Sequence, residues 1–296
     1  MAKIDNIRLD DWIDEDLSEA ARNGELAPAF EIDEPIRQAE EILSALGNRS
    51  PVFVGSAGVG KTAIVHELLR RAYSGEGIPF LIGARVVQIS LRAIRSRFKT
   101  PAEATTFFGE LCNHIVESEV PIVPYIRDIH LAHAYDWEPT LLRLVTRLPH
   151  PIIAEGDPNE YGELIEYWAD LTNHLVEVPV SEPPLPAVRR IVDDWCAWQA
   201  NVNDREVEAP ARRMAIELTA RFMGDKPFPR KVLDLLRQTL DFGDGGSVGV
   251  AQVVSRFSQI TRIPKRLVDP EIQLDLAEVR SFVADRLLGQ EEAVDS

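Results

Sequence analysis

The sequence is poor in cysteine, and it lacks any long apolar run. Its only cysteines, Cys112 and Cys196, stand too far apart for a metal-binding spacing, which predicts free thiols in a reducing compartment. No apolar stretch reaches the ~18 residues that a membrane-spanning helix needs. Residues 1–15 are acidic and unlike a signal peptide. We therefore expect a cytoplasmic protein without a membrane partner.

Positive charge is also scarce. The chain has 32 lysines and arginines against 48 aspartates and glutamates, a net charge of −16 at pH 7. Proteins that wrap a nucleic-acid backbone need clustered cations, so this balance argues against a nucleic-acid partner. The 296 residues, of which 45% are hydrophobic, are enough for about two globular domains.

The sequence does contain the pattern of a phosphate-binding loop. Residues 55–62 fit G-x-x-x-x-G-K-[ST] between the apolar run 51–54 and a helical pattern, the context that this motif requires. Such a loop turns backbone N–H groups toward a phosphate, its lysine reaches the β- and γ-phosphates, and its threonine binds Mg²⁺. The predicted nucleotide contacts are Gly55, Ala57, Gly58, Val59, Gly60, Lys61, Thr62 and Ala63. We expect ATP or ADP here, with Mg²⁺ on Thr62.

Apolar runs and helical patterns alternate along the next part of the chain. Further strands are predicted at residues 86–89, 122–126, 151–154 and 175–178. This alternation predicts a parallel sheet that is covered by helices on both faces. At residues 181–186 three prolines preclude a regular helix and mark a boundary, after which the patterns are helical.

Several segments together resemble the first ATPase module of Clp-type AAA+ unfoldases and disaggregases. They are residues 22–28, 33–36, 58–65, 159–161, 228–236, 253–257, 263–264 and 288–293. The resemblance covers about residues 21–290 and implies an α/β AAA+ domain with a five-stranded parallel sheet, followed by a small all-helical lid domain. It also implies that Ile32 and Pro229 help to enclose the base, that the chain forms a homo-oligomeric ring, hexameric in the family, and that it acts on a protein client.

The expected organisation has four parts. They are an acidic leader at residues 1–20, the nucleotide-binding domain at 21–182, the lid at 183–243 and a connector at 244–296. In two-ring members of the family, such a connector leads into a second ATPase module. The chain is then either a fragment of a longer protein or an independent protein that keeps only the connector.

The residues that the family uses for hydrolysis are not all present. Hydrolysis needs one carboxylate to position Mg²⁺ and a second to polarise the attacking water, and we expect both on the strand beside the loop-bearing one. In register with the family, Arg127 replaces the metal-site aspartate and Asp128 the catalytic glutamate. Shifting the register by one gives Asp128 to the metal and leaves Ile129 as the base. Arg127 either repels Mg²⁺ and attracts phosphate, or pairs with an acid and points away.

Two more positions favour weak or absent hydrolysis. Gly156 stands where the family senses the γ-phosphate with a polar side chain, and Asn173 and His174 stand where arginines reach a neighbouring subunit. We therefore expect a nucleotide-binding module with impaired hydrolysis that serves oligomer assembly. Two alternatives stay open. One is an active ATP-driven unfoldase in which Glu155 or Asp157 supplies the missing carboxylate, and the other is a nucleotide-free adaptor or regulatory scaffold.

Two further patterns have ordinary interpretations beside functional ones. The threading aromatic of the family corresponds to Phe98 or, without gaps, to Thr100, and a Phe98 docked on its own domain explains the segment equally well. Asp128, His130, His133 and Asp136 lie within nine residues, which is a spacing that could indicate a metal site. Structural roles are favoured, because two histidines at helical spacing need further ligands.

Overall fold

The first unit of the protein is an α/β domain. The structure, a computed structural model, describes residues 9–45, 47–242 and 246–269, and the chain divides into the units Met1–Pro183 and Pro184–Ser296. The strands of the first unit are β1 (Glu15–Asp16), β2 (Ser50–Val54), β3 (Arg85–Ser90), β4 (Ile122–Arg127), β5 (Ile153–Gly156) and β6 (Leu175–Pro179). They form one six-stranded sheet in the order β1-β3-β4-β5-β2-β6. Only β1 is antiparallel, so the expected five parallel strands gain a sixth strand at one edge.

Helices cover both faces of this sheet. They are α1 (Leu17–Asn23), α2 (Asp33–Ser44), α3 (Lys61–Tyr73), α4 (Pro79–Ile82), α5 (Leu91–Arg97), α6 (Pro101–Glu117), α7 (Leu131–Ala134), α8 (Glu138–Arg147) and α9 (Pro158–Tyr167), with 3₁₀ turns at Leu9–Asp11 and Ala169–Asn173. Phe53 of β2 joins the hydrophobic core beneath α1–α4, whereas Val52 and Val54 join the core beneath α5, α6, α8 and α9. Because side chains alternate along a strand, β2 is buried on both faces.

The acidic segment at the start of the chain packs onto the sheet in its described part, residues 9–20. The Asp16 carboxylate accepts hydrogen bonds from the first turn of α1 and pairs with Arg85 of β3 at 2.6 Å. Leu17 is fully buried. Residues 9–20 are therefore part of the α/β unit, while residues 1–8 of the expected leader lie outside the described residues.

The second unit is helical throughout its described part. Its helices are α10 (Leu185–Asn203), α11 (Ala209–Phe222), α12 (Arg230–Asp241), α13 (Val250–Thr261) and α14 (Lys265–Val268). Helix α13 packs against α11, α12 and α14, and Val207 forms a short parallel bridge with Val248. Residues 246–269, expected to begin a connector, thus pack within the helical unit. The remainder of the expected connector, residues 270–296, lies outside the described residues, as do residues 243–245.

The prolines near the unit boundary do not all exclude a helix. Pro186 lies in the first turn of α10. A proline is tolerated there because the first N–H groups of a helix have no acceptor within the helix. The prediction that residues 181–186 preclude a regular helix is therefore wrong for Leu185 and Pro186.

Two expectations from composition can be compared with the structure. Cys112 and Cys196 are free and buried, and burial raises the pKa of each thiol to about 12, which makes both poor nucleophiles. Within the described part of the chain, no helix is both long and apolar enough to cross a membrane.

Candidate functional site

The loop between β2 and α3 lies close against the sheet. A Cβ atom on Gly55 would lie 2.2 Å from the carbonyl oxygen of Val180, so this position accepts only glycine. Gly58 and Gly60 have φ angles of 102° and 113°, which glycine adopts without strain. The loop leads directly into α3, whose first N–H groups lack partners within the helix. Such a backbone favours an anion at the start of α3.

Lys61, the first residue of α3, is folded back onto the loop. Its ammonium group donates to the carbonyl oxygens of Gly55 at 2.5 Å and Ser56 at 3.2 Å. Burial lowers the pKa of Lys61, and the charges of Glu155 and Asp128 oppose this shift. The Lys61 ammonium group is thus held by carbonyl groups of the loop that precedes it.

Glu155 is the centre of a hydrogen-bond network beside Lys61. Glu155 is only 4% exposed to solvent. Oε2 accepts from the Thr62 hydroxyl at 3.1 Å and from the Tyr125 phenol at 2.7 Å, while Oε1 accepts from Nε of Arg127 at 3.2 Å. Burial and the neighbouring Glu155 carboxylate raise the pKa of Tyr125, so the phenol keeps its proton. The buried carboxylate is thereby hydrogen-bonded on both oxygens and paired with one cation.

Arg127 is paired with an acid, but it does not leave the site. Its partner, Glu155, is itself bonded to Thr62. The pair therefore adds both a positive and a negative charge beside the start of α3. Of the two interpretations of Arg127, the structure has the pairing with an acid, while its effect on Mg²⁺ and phosphate stays a prediction.

The order of the strands differs from one expectation. We expected the strand with Arg127 to lie beside the loop-bearing strand, and this is wrong, because β5 lies between β4 and β2. The backbone N–H of Gly55 donates to the carbonyl of Gly156 at the end of β5, at 3.2 Å. The strand next to the loop is thus the one that brings Glu155 to Thr62.

Asp128, the remaining candidate for catalysis and for Mg²⁺, follows β4 directly. It has a φ of 52°, in the left-handed region. Its carboxylate lies 4.0 Å from Nε of Arg92 and is about one-third exposed. The carboxylate that accepts from the Thr62 hydroxyl is that of Glu155. A role for Asp128 in catalysis or metal binding stays a prediction.

The other polar residues after β5 have structural partners. The Asp157 carboxylate accepts from the backbone N–H of Asn159 at 3.1 Å and caps α9. The Asp157 N–H donates to Nδ1 of His130 at 3.1 Å, and Nε2 of His130 lies 2.6 Å from a Glu160 oxygen. Across the described residues, no group of three or more His, Cys, Asp and Glu side chains is arranged to hold a metal ion. Of the two alternative carboxylates, only Glu155 contacts Thr62.

Comparison with known proteins finds ClpB chaperones among the relatives of this chain. The chain is 26% identical over 291 residues to chaperone protein ClpB of Propionibacterium freudenreichii, a match that covers 91% of this chain and 33% of that protein. It is 29% identical over 235 residues to ClpB of Staphylococcus aureus, covering 75% of this chain and 26% of that protein. Over most of its length the chain is homologous to Clp-type AAA+ chaperones. It spans about a third or less of these relatives.

Solved structures of Hsp104 have the same fold. The chain matches Saccharomyces cerevisiae Hsp104 in a casein complex with a TM-score of 0.73 and 22% identity, covering 97% of this chain and 51% of that one. The match to the Hsp104–ADP complex has a TM-score of 0.72 at the same identity. At this identity the likeness establishes a shared fold and nothing further. No protein-family model matches the chain.

In the α/β unit, Glu67 ties the segment before α2 to α3. The Glu67 side chain is 2% exposed and accepts from the backbone N–H of Ala29 at 3.3 Å. Arg70 and Arg71 donate to it at 2.7 and 3.0 Å, and Arg71 also pairs with Asp33 at 2.6 Å. Burial alone would raise the pKa of Glu67, but the two arginines and the Ala29 N–H outweigh it, so the pKa lies below its ordinary value. Helix α3 thus holds both the loop and this segment.

Ile32 and Pro229, predicted to help enclose the base, belong to different units. Ile32 directly precedes α2 and is partly buried against the core beneath α1–α4. Pro229 directly precedes α12 in the helical unit. Their joint role at the base stays a prediction.

Asn173 and His174 lie at the amino end of β6. The carbonyl of His174 accepts from the backbone N–H of Ser50, the first residue of β2. Because β2 and β6 are parallel, these residues lie at the opposite end of the sheet from Gly55. Their place in a contact between subunits stays a prediction.

Phe98 is docked on its own domain. Its ring lies 5.6 Å from that of Trp12, stacked at 8°, and 5.1 Å from that of Phe107. The Arg97 guanidinium lies 4.8 Å from the Trp12 ring, and Thr100 caps α6. Of the two interpretations of this segment, the structure agrees with docking rather than with a free threading aromatic.

Sequence reasoning missed Tyr125 and the position of Glu155. The apolar pattern predicts a strand that ends at Ala154, whereas β5 runs on to Gly156, so Glu155 lies inside the strand. Side chains two apart in a strand share a face, which brings Tyr125 and Arg127 of β4 to the side of the sheet that α3 covers. A test for period-two spacing in both strands would have found this group.

Proposed function

We propose that this chain is a nucleotide-binding AAA+ module of a Clp-like chaperone, which holds ATP or ADP in the loop at residues 55–62 and hydrolyses it slowly or not at all. Its role is in the assembly of a cytoplasmic homo-oligomeric ring, hexameric as the resemblance implies, which acts on a protein client. The ClpB relatives, the ADP complex of Hsp104 and its casein complex support this proposal. A bound nucleotide stabilises the folded state by mass action even when it is not cleaved.

The pairing of Arg127 with Glu155 is the observation that supports weak hydrolysis. Hydrolysis requires a carboxylate that positions Mg²⁺ and another group that polarises the attacking water. Here the carboxylate bonded to Thr62 is neutralised by a guanidinium at 3.2 Å. Gly156 has no side chain with which to sense the γ-phosphate. The residues that hold a nucleotide are kept, whereas those that cleave it are not.

The test compares binding with turnover in the full chain. We expect a fluorescent ADP analogue to bind saturably, and steady-state phosphate release to stay at the background of the Lys61→Ala variant, which removes the phosphate-binding ammonium. Lysine-dependent turnover at the rate usual for AAA+ enzymes would contradict weak hydrolysis. Absence of saturable binding would instead favour the nucleotide-free adaptor.

The mass of the protein in solution tests whether nucleotide promotes assembly. We expect light scattering after size-exclusion chromatography to show a larger oligomer with ATP or ADP than without, and Lys61→Ala to remove the difference. A single mass in all conditions would contradict a role of the nucleotide in assembly.

One observation favours a second candidate, the active unfoldase. Glu155 places a carboxylate against the Thr62 hydroxyl, where a metal-positioning acid is needed. If the wild-type chain does turn over ATP, Glu155→Gln decides the source: loss of at least about tenfold of the rate would assign the missing carboxylate to Glu155.

A further inference from the structure

Glu155 and Asp128, two of the acids at the phosphate end of this site, are each faced by an arginine, and the third, Asp157, caps α9. Glu155 is paired with Arg127 at 3.2 Å, and Asp128 lies 4.0 Å from Arg92. Mg²⁺ at nucleotide sites is held by one or two carboxylates together with the substrate phosphates. A carboxylate whose charge is already compensated by a guanidinium attracts a divalent cation less strongly. The donor set therefore does not fit the Mg²⁺ that the family resemblance implies.

The Thr62 hydroxyl, the other expected ligand, is also engaged. It donates a hydrogen bond to Oε2 of Glu155. The same oxygen accepts a hydrogen bond from the Tyr125 phenol at 2.7 Å. A metal at Thr62 would have to compete with this network. Two cations, Lys61 and Arg127, already interact with the Glu155 carboxylate. Two nearby cations raise the electrostatic cost of adding a third.

Arg127 has the chemistry of a phosphate ligand. Its side chain is 41% exposed, and among the described residues its only hydrogen bond runs from Nε to Glu155. The two terminal amino groups of the guanidinium thus keep their donors. Guanidinium groups bind phosphate oxygens through two parallel hydrogen bonds and stay charged at every relevant pH. Glu155 fixes the Nε side of the group, so the opposite side is presented in one orientation.

We propose that Arg127 supplies the positive charge that Mg²⁺ supplies at other phosphate-binding loops, so that this site binds a nucleoside di- or triphosphate without a divalent metal. Glu155 is a positioning residue in this arrangement, since it acts on the nucleotide through Arg127 and Thr62. The inference rests on the proposed nucleotide-binding function and deepens it. It also fits slow hydrolysis, because the metal ion that bridges the β- and γ-phosphate oxygens during phosphoryl transfer would be missing.

The decisive measurement needs only the wild-type chain. We expect the dissociation constant of a fluorescent ADP analogue to differ by less than about threefold between Mg²⁺ and EDTA. A loss of affinity of about tenfold or more in EDTA overturns the inference. As a direct readout of metal, we expect the protein not to lower the electron-paramagnetic signal of free Mn²⁺ beyond what the nucleotide alone does. Uptake of one Mn²⁺ per bound nucleotide overturns it as well.

Variants then test the role of Arg127. Arg127→Met is expected to weaken nucleotide binding about tenfold or more in Mg²⁺ and EDTA alike, and Arg127→Asp to make binding depend on Mg²⁺. Arg147→Met is the matched control, because Arg147 is similarly exposed, 48%, and lies 3.7 Å from its acid partner Glu117 on α6. Circular dichroism checks that each variant is folded. Unchanged affinity in folded Arg127→Met contradicts the inference.

The outcomes separate this inference from the proposed function. Metal-dependent binding leaves the nucleotide-binding function intact and removes only the role of Arg127. Metal dependence that disappears in Glu155→Gln would assign the ion to Glu155 and Thr62. If the wild-type chain binds no nucleotide under either condition, the proposed function itself fails.

Discussion

The carboxylate of Glu67 accepts a hydrogen bond of 3.3 Å from the backbone N–H of Ala29, across 38 residues of chain. The contact joins the helix that follows the phosphate-binding loop to the segment that the family resemblance places at the base. Glu67 is buried and also binds Arg70 and Arg71, so its carboxylate is fixed in the position from which it contacts Ala29. The two ends of a bound nucleotide would thus be positioned by one helix.

Replacing Glu67 by glutamine tests the strength of this contact. Glutamine keeps an oxygen for the Ala29 N–H but loses the charge that binds the two arginines. We expect the free energy of unfolding to fall by about 2 kcal/mol, as for a hydrogen bond to a charged group. Urea unfolding followed by circular dichroism measures it. The exposed Glu163→Gln on α9 is the control, with an expected change below about 0.5 kcal/mol. Equal effects of the two substitutions would contradict the assigned role.

The same carboxylate predicts a pH dependence. The pKa of Glu67 lies below its ordinary value of 4.5 in the folded state. Its contribution to stability is therefore complete above the unfolded-state pKa and is lost as the pH falls through the lower folded-state pKa. We expect the stability difference between wild type and Glu67→Gln to be full near about pH 7 and to shrink below about pH 4.5. A difference that grows on acidification would reverse the sign of the assigned shift.

Two glycine-to-alanine substitutions should act in opposite directions. A Cβ on Gly55 would lie 2.2 Å from a backbone oxygen, whereas a Cβ on Gly109 in α6 meets nothing within 4 Å. We expect Gly55→Ala to lower the free energy of unfolding by about 1–3 kcal/mol, since the loop must move. Gly109→Ala should raise it by about 0.5–1 kcal/mol, because alanine is the better helix former. Thermal unfolding of both variants checks the prediction, and a Gly55→Ala variant as stable as wild type would contradict the close approach.

Phe98 should matter for stability. Removing its ring breaks the stacking with Trp12 and the contact with Phe107. Aromatic pairs contribute about 0.5–1.5 kcal/mol each, so we expect Phe98→Ala to cost about 1–3 kcal/mol. The neighbouring exposed Lys99→Ala is the control and should change little. If Phe98→Ala left the unfolding curve unchanged but weakened client binding, the threading interpretation would be favoured instead.

The loop and the layered α/β fold could be predicted because their information is local. The glycines and the lysine at residues 55–62 stand at fixed spacing, and the alternation of apolar runs with helical patterns defines the parallel sheet. The loop and the strands depend on residues that are close in sequence. The bounds of the strands in the structure agree with the predicted bounds to within a few residues.

The contacts of Arg127 could not be predicted in the same way. Which acid lies beside it depends on the order of β4, β5 and β2, and strand order is decided by long-range packing. Strand β1 was missed for a related reason. Glutamate and aspartate are disfavoured in strands, so Glu15 and Asp16 gave no local indication, and the pairing with β3 determines their conformation.

Strand β1 has a consequence for how the sheet meets other chains. The outermost parallel strand, β3, would otherwise present open N–H and carbonyl groups along its edge, which invites pairing with a second molecule. The Glu15–Asp16 strand occupies part of that edge, and the Asp14 N–H donates a hydrogen bond to the carbonyl oxygen of Gln88 at 2.8 Å. Glu15 on this short outer strand is exposed and adds negative charge there, whereas the Asp16 carboxylate is engaged by Arg85 and by the first turn of α1. Strand β1 thus covers part of an edge that would otherwise be open to edge-to-edge aggregation.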